Sequence, residues 1–122
     1  MAARQCILVV DDEPQICDVV ELYLRREGFE VETAHDGQAA LNAVEHDPPD
    51  LVVLDVMMPT MDGHAFIREI KCRPELQDIP ILILTARAQT KYLFEEMGIM
   101  DFVSKPFSPQ ELLNSIETCI AR

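Results

Sequence analysis

Short apolar runs alternate along the chain with longer stretches in which apolar residues recur every three or four positions. Cys6-Ile7-Leu8-Val9-Val10, Leu51-Val52-Val53-Leu54, Ile81-Leu82-Ile83-Leu84 and Phe102-Val103-Ser104 are almost unbroken apolar runs, as expected of strands buried on both faces of a parallel sheet. Phe29, Val31 and Thr33 instead alternate with Glu30 and Glu32, which predicts a second strand with one wet face or a place near the sheet edge. Between the strands, Ile16, Val19, Val20, Tyr23 and Leu24 fall on one helical stripe. Pro14 suits the first turn and Gly28 the stop, so this helix is predicted from Pro14 to Glu27. Asp36-Gly37 turns the chain into a second helix through Ala40, Leu41 and Val44, closed by Asp47-Pro48-Pro49. Asp62 is a candidate cap for a third helix carrying Phe66, Ile67 and Ile70, and the fourth strand starts near Pro80. A weaker fourth helix spans Lys91 to Met97 and ends at Gly98. A fifth opens at Ser108-Pro109 with Leu112, Leu113, Ile116, Cys119 and Ile120 on one face.

Five strand-helix units in succession predict an α/β fold with a parallel sheet and helices on both faces. The 122 residues fill one domain, 1–122, with no room for a second. In an open sheet of this kind every strand points its carboxyl end the same way, and ligands bind in the crevice outside those ends. Here the runs stop at Asp11 and Asp12, at Asp55, at Thr85 and at Lys105. If the second strand turns to one edge, strands one and three border the point where strand order reverses, and these residues share a pocket.

Three carboxylates, a hydroxyl and an ammonium form a set with specific chemistry. The carboxylates cannot all stay ionised side by side without a cation, and an oxygen-rich, strongly charged setting suits magnesium. A carboxylate can also act as a nucleophile toward phosphorus and form an aspartyl phosphate. Catalysis there is mostly positioning and neutralisation of phosphoryl oxygens, for which Lys105 and Thr85 are the right groups. Each residue alone has a plainer reading. Asp12 could cap the first helix, Asp55 could be a turn residue, Lys105 a solvated surface group and Thr85 a β-former. Their occurrence together at successive strand ends favours a site, and a buried central strand makes an uncompensated Asp55 costly.

A formal charge of -12 disfavours direct contact with nucleic acid or an anionic membrane and favours basic partners and divalent cations. The first apolar run is too short, and too quickly followed by acids, for a signal peptide or membrane span, so a cytoplasmic protein is expected. Cys6, Cys17, Cys72 and Cys119 show no paired spacing and are expected as reduced, mostly core-filling thiols. His35, His46 and His64 are expected to be solvated. Tyr92, Leu93, Phe94 and Met97 are many apolar side chains for a short helix, which raises a partner-binding patch beside ordinary core packing.

Val9-Val10-Asp11-Asp12-Glu13, Leu54-Asp55-Val56-Met57-Met58-Pro59 with Asp62-Gly63, Leu84-Thr85-Ala86-Arg87 and Lys105-Pro106-Phe107 together resemble the receiver domains of bacterial two-component response regulators, over essentially the whole chain. The resemblance implies a flavodoxin-like doubly wound fold with strand order 2-1-3-4-5. It implies that Asp55 accepts a phosphoryl group from a histidine kinase or phosphotransfer protein. Magnesium, with manganese as a substitute, would be held by Asp12 directly, by Asp11 mainly through water, by Asp55 and by the backbone carbonyl of Met57. Lys105 would pair with one phosphoryl oxygen and Thr85 would donate to another. Phe102 matches the switch aromatic that turns inward when Thr85 moves, and Pro106 the proline that follows a cis bond. Met57 and Arg87 occupy variable positions that influence how fast the phosphoryl group arrives and hydrolyses. The family would use the surface of its fourth helix, fifth strand and fifth helix to meet an effector. The resemblance implies a signalling module with no output domain in this chain, and not an enzyme beyond assisting its own phosphotransfer and dephosphorylation. The segment between Thr85 and Gly98 is slightly shorter than the family pattern, and the charged residues many DNA-binding regulators use to pair receivers are not evident.

Two other readings compete. A magnesium-dependent phosphohydrolase of the haloacid-dehalogenase type also forms an aspartyl phosphate, but wants a second aspartate two residues after the nucleophile, where this chain has Met57. A pseudo-receiver that serves only for docking would normally have lost part of the acidic pair, the acceptor or the lysine.

Overall fold

The computed structural model describes residues 5–55, 63–85, 94–96, 98–99 and 101–121, with Thr85 described by its backbone alone. Strands β1 (Cys6–Val10), β2 (Glu30–Ala34), β3 (Leu51–Asp55), β4 (Ile81–Thr85) and β5 (Asp101–Ser104) form one sheet in the order β2-β1-β3-β4-β5, all neighbours parallel. This is the predicted flavodoxin-like arrangement. All five residues of β3 are buried in mid-sheet, whereas β2, with its alternating glutamates, pairs only with β1. For β3 and β2 pattern and position agree because a strand covered on both faces must be apolar at every residue, while an edge strand keeps wet positions. β5, expected among the buried runs, forms the other edge, with Asp101 and Phe102 half-buried and Ser104 exposed.

Pleating divides the apolar strand residues between two cores. Leu8, Val10, Val52, Leu54, Ile81 and Ile83 pack with Ala40, Leu41 and Val44 of α2 (Gly37–His46) and Phe66, Ile67 and Ile70 of α3 (Gly63–Lys71). On the other face Ile7, Val9, Leu51, Val53, Leu82 and Leu84 pack with Cys17, Val20 and Leu24 of α1 (Pro14–Arg26) and Leu112, Ile116 and Cys119 of α4 (Pro109–Ala121). The last helix, α4, is the fifth predicted one. The predicted fourth lies largely outside the described residues, as do Tyr92, Leu93 and Met97. Phe94 and Glu95 are helical, and the turn closes where the Gly98 and Ile99 N–H groups donate to the carbonyls of Glu95 and Phe94, each at 3.0 Å. Gly98 takes φ +86°, a left-handed value that glycine adopts without cost.

Helix ends follow their local chemistry. α1 stops at Arg26, one residue short of the predicted end, with Glu27 as its cap and Gly28 beyond at φ +94°. Its N-cap is Glu13, with no side-chain cap bond, so the capping role open to Asp12 is not realised. Asp36 caps α2 by accepting from the Ala39 N–H at 2.8 Å, and Ser108 caps α4 by accepting from the Glu111 N–H at 3.1 Å. Asp62 lies outside the described residues.

Further expectations need correction. Val19, expected on the apolar stripe of α1, is 45% exposed, and Cys17 is buried with Val20 and Leu24 instead. Cys72 is exposed, because it follows the last residue of α3 and falls off the buried stripe of Phe66, Ile67 and Ile70, whereas Cys17 and Cys119 are buried. His35 and His46 are exposed, but His64 is half-buried with its ring stacked on Phe94. It stands one helical turn before the buried Ile67 and shares that side of α3. Among the described residues no helix is long and apolar enough to cross a membrane.

The central layer should dominate stability. Ile83 is fully buried, so Ile83→Ala is expected to cost about 2–5 kcal/mol. Asp36→Ala, which removes one helix cap, should cost only about 1 kcal/mol. Urea denaturation of the two variants measures both, and a reversed order would contradict this division.

Candidate functional site

The chain leaves β1 for β2 on one side and returns to β3 on the other, so strand order reverses between two neighbours and a crevice opens at their carboxyl ends. Val10 stands opposite Leu54, which puts Asp11 and Asp55, each one residue further on, level across that crevice. Asp55 is opposite Leu84 and Thr85 opposite Ser104, so Thr85 and Lys105 come next in the row. One oxygen from each of Asp11, Asp12 and Asp55 lies within 4.8 Å of the others. Asp11 is completely buried and Asp55 is 5% exposed, while Asp12 is open to solvent.

Asp11 is held on every side. Its N–H donates to the Ala34 carbonyl at 3.1 Å, extending the bonding between β1 and β2 by one step. Its carbonyl accepts from the Cys17 thiol at 3.5 Å, and its Oδ1 accepts from the Glu13 N–H at 3.0 Å. That leaves Oδ2, which accepts from Lys105 Nζ at 3.1 Å. The same ammonium donates to Asp55 Oδ2 at 3.2 Å, so one lysine bridges the two buried carboxylates. The Lys105–Pro106 peptide is cis.

Burial is the largest influence on Asp11 and pushes its carboxyl up from the ordinary 3.8 to about 6. The Glu13 N–H and Lys105 pull it down, and the charge of Asp55 pushes it further up. For Lys105, burial alone would lower the pKa, but Asp55 and Asp11 outweigh it and hold the ammonium above its ordinary range. Because the lysine's folded value is raised, the ammonium's own contribution is fully present at neutral pH and is lost as Lys105 deprotonates in alkaline solution. Burial, aided by the Asp11 charge, pushes the Cys17 thiol up to about 11, which leaves it unreactive at neutral pH.

Among the described residues three carboxylates meet one ammonium, a formal deficit of two positive charges, three minus one, and the ligand atoms they offer are carboxylate oxygens. A divalent hard cation fits that deficit and donor set, and magnesium, which takes few protein ligands and keeps several waters, suits a cluster with one open carboxylate. Asp11, Asp12, Asp55 and Lys105 are thus brought together. The Thr85 backbone is in register beside them, but its side chain, like Met57 and Arg87, lies outside what is described. Phe102 is half-buried against the core on the α2 and α3 face. Residue pattern gave no sign that Lys105 would contact Asp11 as well as Asp55, or that the Cys17 thiol would hold the Asp11 carbonyl. A separation of 94 positions between Asp11 and Lys105 leaves no periodic trace of such a contact.

Residues 7–117 match the family model described as the response regulator receiver domain. Among solved structures, the fold is similar to that of a chain from Chloroflexus aurantiacus assigned to the response regulators. The two are 34% identical with a TM-score of 0.93, over 98% of this chain and 100% of that one. It is also similar to the Vibrio cholerae chemotaxis protein CheY4, at 33% identity and TM-score 0.90 over 96% and 99% of the two chains. A third likeness is to the receiver domain of the sensor histidine kinase PA1611 from Pseudomonas aeruginosa, which carries a magnesium ion coordinated in its active site cleft. The identity is 31% and the TM-score 0.89, over 98% and 100% of the chains.

The raised Asp11 value makes stability depend on pH in a defined direction. Between 3.8 and about 6 the folded chain holds a proton that the unfolded chain has released, so stability falls as pH rises through that window. The loss from this residue is about 2–3 kcal/mol at most. Asp11→Asn should flatten this part of the profile in metal-free buffer. Urea midpoints at either end of the window test it, and parallel profiles for variant and parent would contradict it.

Proposed function

The chain belongs to the response regulator receiver domain family, and on that premise we propose that it is a phosphorylation-dependent switch whose acceptor is Asp55. The observation that carries this reading is the bridge from Lys105 Nζ to the buried carboxylates of Asp55 and Asp11 at the reversal of strand order. A pseudo-receiver would be expected to lack part of that set.

In the proposed transfer, an Asp55 carboxylate oxygen attacks the phosphorus of a phosphohistidine on a sensor kinase or phosphotransfer protein. The phosphorus–nitrogen bond breaks, the imidazole leaves and takes up a proton, and an acyl phosphate forms on Asp55. Asp11, Asp12 and Asp55, with the Met57 carbonyl, would hold magnesium, or manganese in its place. When bound, that ion supplies positive charge between the carboxylates and the phosphoryl oxygens. Asp55 loses its carboxylate charge as the acyl phosphate forms, while the phosphoryl group brings roughly -1.5 to -2 charges. The Lys105 ammonium is therefore drawn from the carboxylate to a phosphoryl oxygen, and the Thr85 hydroxyl donates to another. Space left by Thr85 admits the Phe102 ring, and the surface around residues 94–99, β5 and α4 repacks for an effector.

The chain is itself the species changed, so it is not an enzyme acting on a separate substrate, and it works in the cytoplasm. The face of α1 that exposes Val19 and Leu22 starts from Pro14, next to the crevice. At about 1.5 Å per residue Val19 is only about 8 Å along the helix from that end. This supports apolar docking of the phosphodonor protein beside the acceptor, without nucleic acid or membrane as a direct partner.

Incubation with acetyl phosphate and magnesium should add a single phosphoryl group by intact mass, and chelation of the metal should prevent it. Asp55→Asn should abolish the adduct while circular dichroism shows the fold retained. Continued labelling of that variant would sink the assignment of Asp55.

A further inference from the structure

The His64 ring stacks on Phe94 with centroids 4.5 Å apart and planes inclined by 24°. The two residues belong to parts of the chain that the phosphorylation reading treats separately. His64 is the second residue of α3, directly after Gly63, and residues 56–62 join that helix to Asp55. Phe94 lies in the helical turn that ends at Gly98, between Thr85 and β5. Its side chain is 1% exposed and belongs to the same core as Phe66, Ile67 and Ile70, against which Phe102 also packs. His64 thus touches, from the acceptor side, a ring embedded in the core that borders the proposed switch aromatic.

An aliphatic residue at position 64 would fill the same edge of the core. Stacked rings differ in being directional, because their preferred offset geometry is lost when one ring slides or tilts against the other. Packed interiors pass such displacements on as discrete rearrangements, since they have no free volume in which to absorb them.

We propose that the His64–Phe94 stack is a positioning contact that ties the start of α3, and through it the segment following Asp55, to the turn between β4 and β5. Phosphorylation then repacks that turn through this ring pair as well as through Thr85. The proposal rests on Asp55 being the acceptor. His64 takes no part in the chemistry, so its loss leaves phosphoryl binding intact and removes the response at a distance.

Beryllofluoride with magnesium, a stand-in for the phosphoryl group, separates the two. Binding is read by fluorine NMR, and the response by hydrogen exchange of the peptide containing Phe94, in the full chain. The parent should bind and change its exchange in that peptide. His64→Ala should still bind, with a response smaller by about fivefold or more, the lower range of allosteric couplings. His64→Phe, which keeps a stacked ring, should restore it. Phe94→Leu, which retains apolar volume without the ring face, should match His64→Ala, and the double variant should lose nothing further. A full response in His64→Ala or in Phe94→Leu would overturn the proposal while leaving the acceptor assignment standing. Failure of the parent to bind beryllofluoride would remove the functional reading and this proposal with it.

Discussion

Two carboxylates that burial disfavours, Asp11 and Asp55, meet one lysine at the point where the sheet reverses its strand order. Removing charges from water is expensive, and a bridging ammonium offsets that cost only when the geometry is maintained on both sides. Three strands must therefore end in register: β1 for Asp11, β3 for Asp55 and β5 for Lys105. The apolar interior serves that requirement. Its two cores fix β1 and β3 between helices on both faces, and the Ala34 carbonyl, the Glu13 N–H and the Cys17 thiol fix Asp11 in turn.

The same arrangement supports the proposed reactivity of the site. A fully neutralised cluster would hold a cation only weakly. Here one lysine serves two buried carboxylates, Asp12 stays open to solvent, and Asp11 is held near the point of protonation by burial. The electrostatic deficit is local and positioned beside Asp55, the proposed acceptor. Sites that give up stability in this way are where function is expected to reside.

Much of this was legible in the residues. Strand β3 reads as central because Leu51 to Leu54 are uninterrupted, and β2 reads as peripheral because Glu30 and Glu32 alternate with apolar neighbours, which is how the sheet places them. The clustering of Asp11, Asp12 and Asp55 followed from strand ends in a parallel sheet. The different burial of Asp11 and Asp12 did not, because adjacent acids after a strand look alike until the turn into α1 sets which one points inward. Bonds spanning most of the chain, such as Lys105 to Asp11, leave no local pattern. His64 departs from its pattern for a related reason: a polar residue near a helix start looks solvated, and its partial burial comes with a Phe94 ring supplied by a distant turn.

The central claim is that the phosphoryl group resides on the carboxyl of Asp55. Borohydride tests it most directly, since it reduces an acyl phosphate and leaves phosphate esters untouched. After treatment with acetyl phosphate and magnesium, reduction followed by peptide mass mapping should convert Asp55 alone to homoserine. Conversion at another carboxylate, or a phosphoryl group that survives reduction on a serine or threonine, would contradict it.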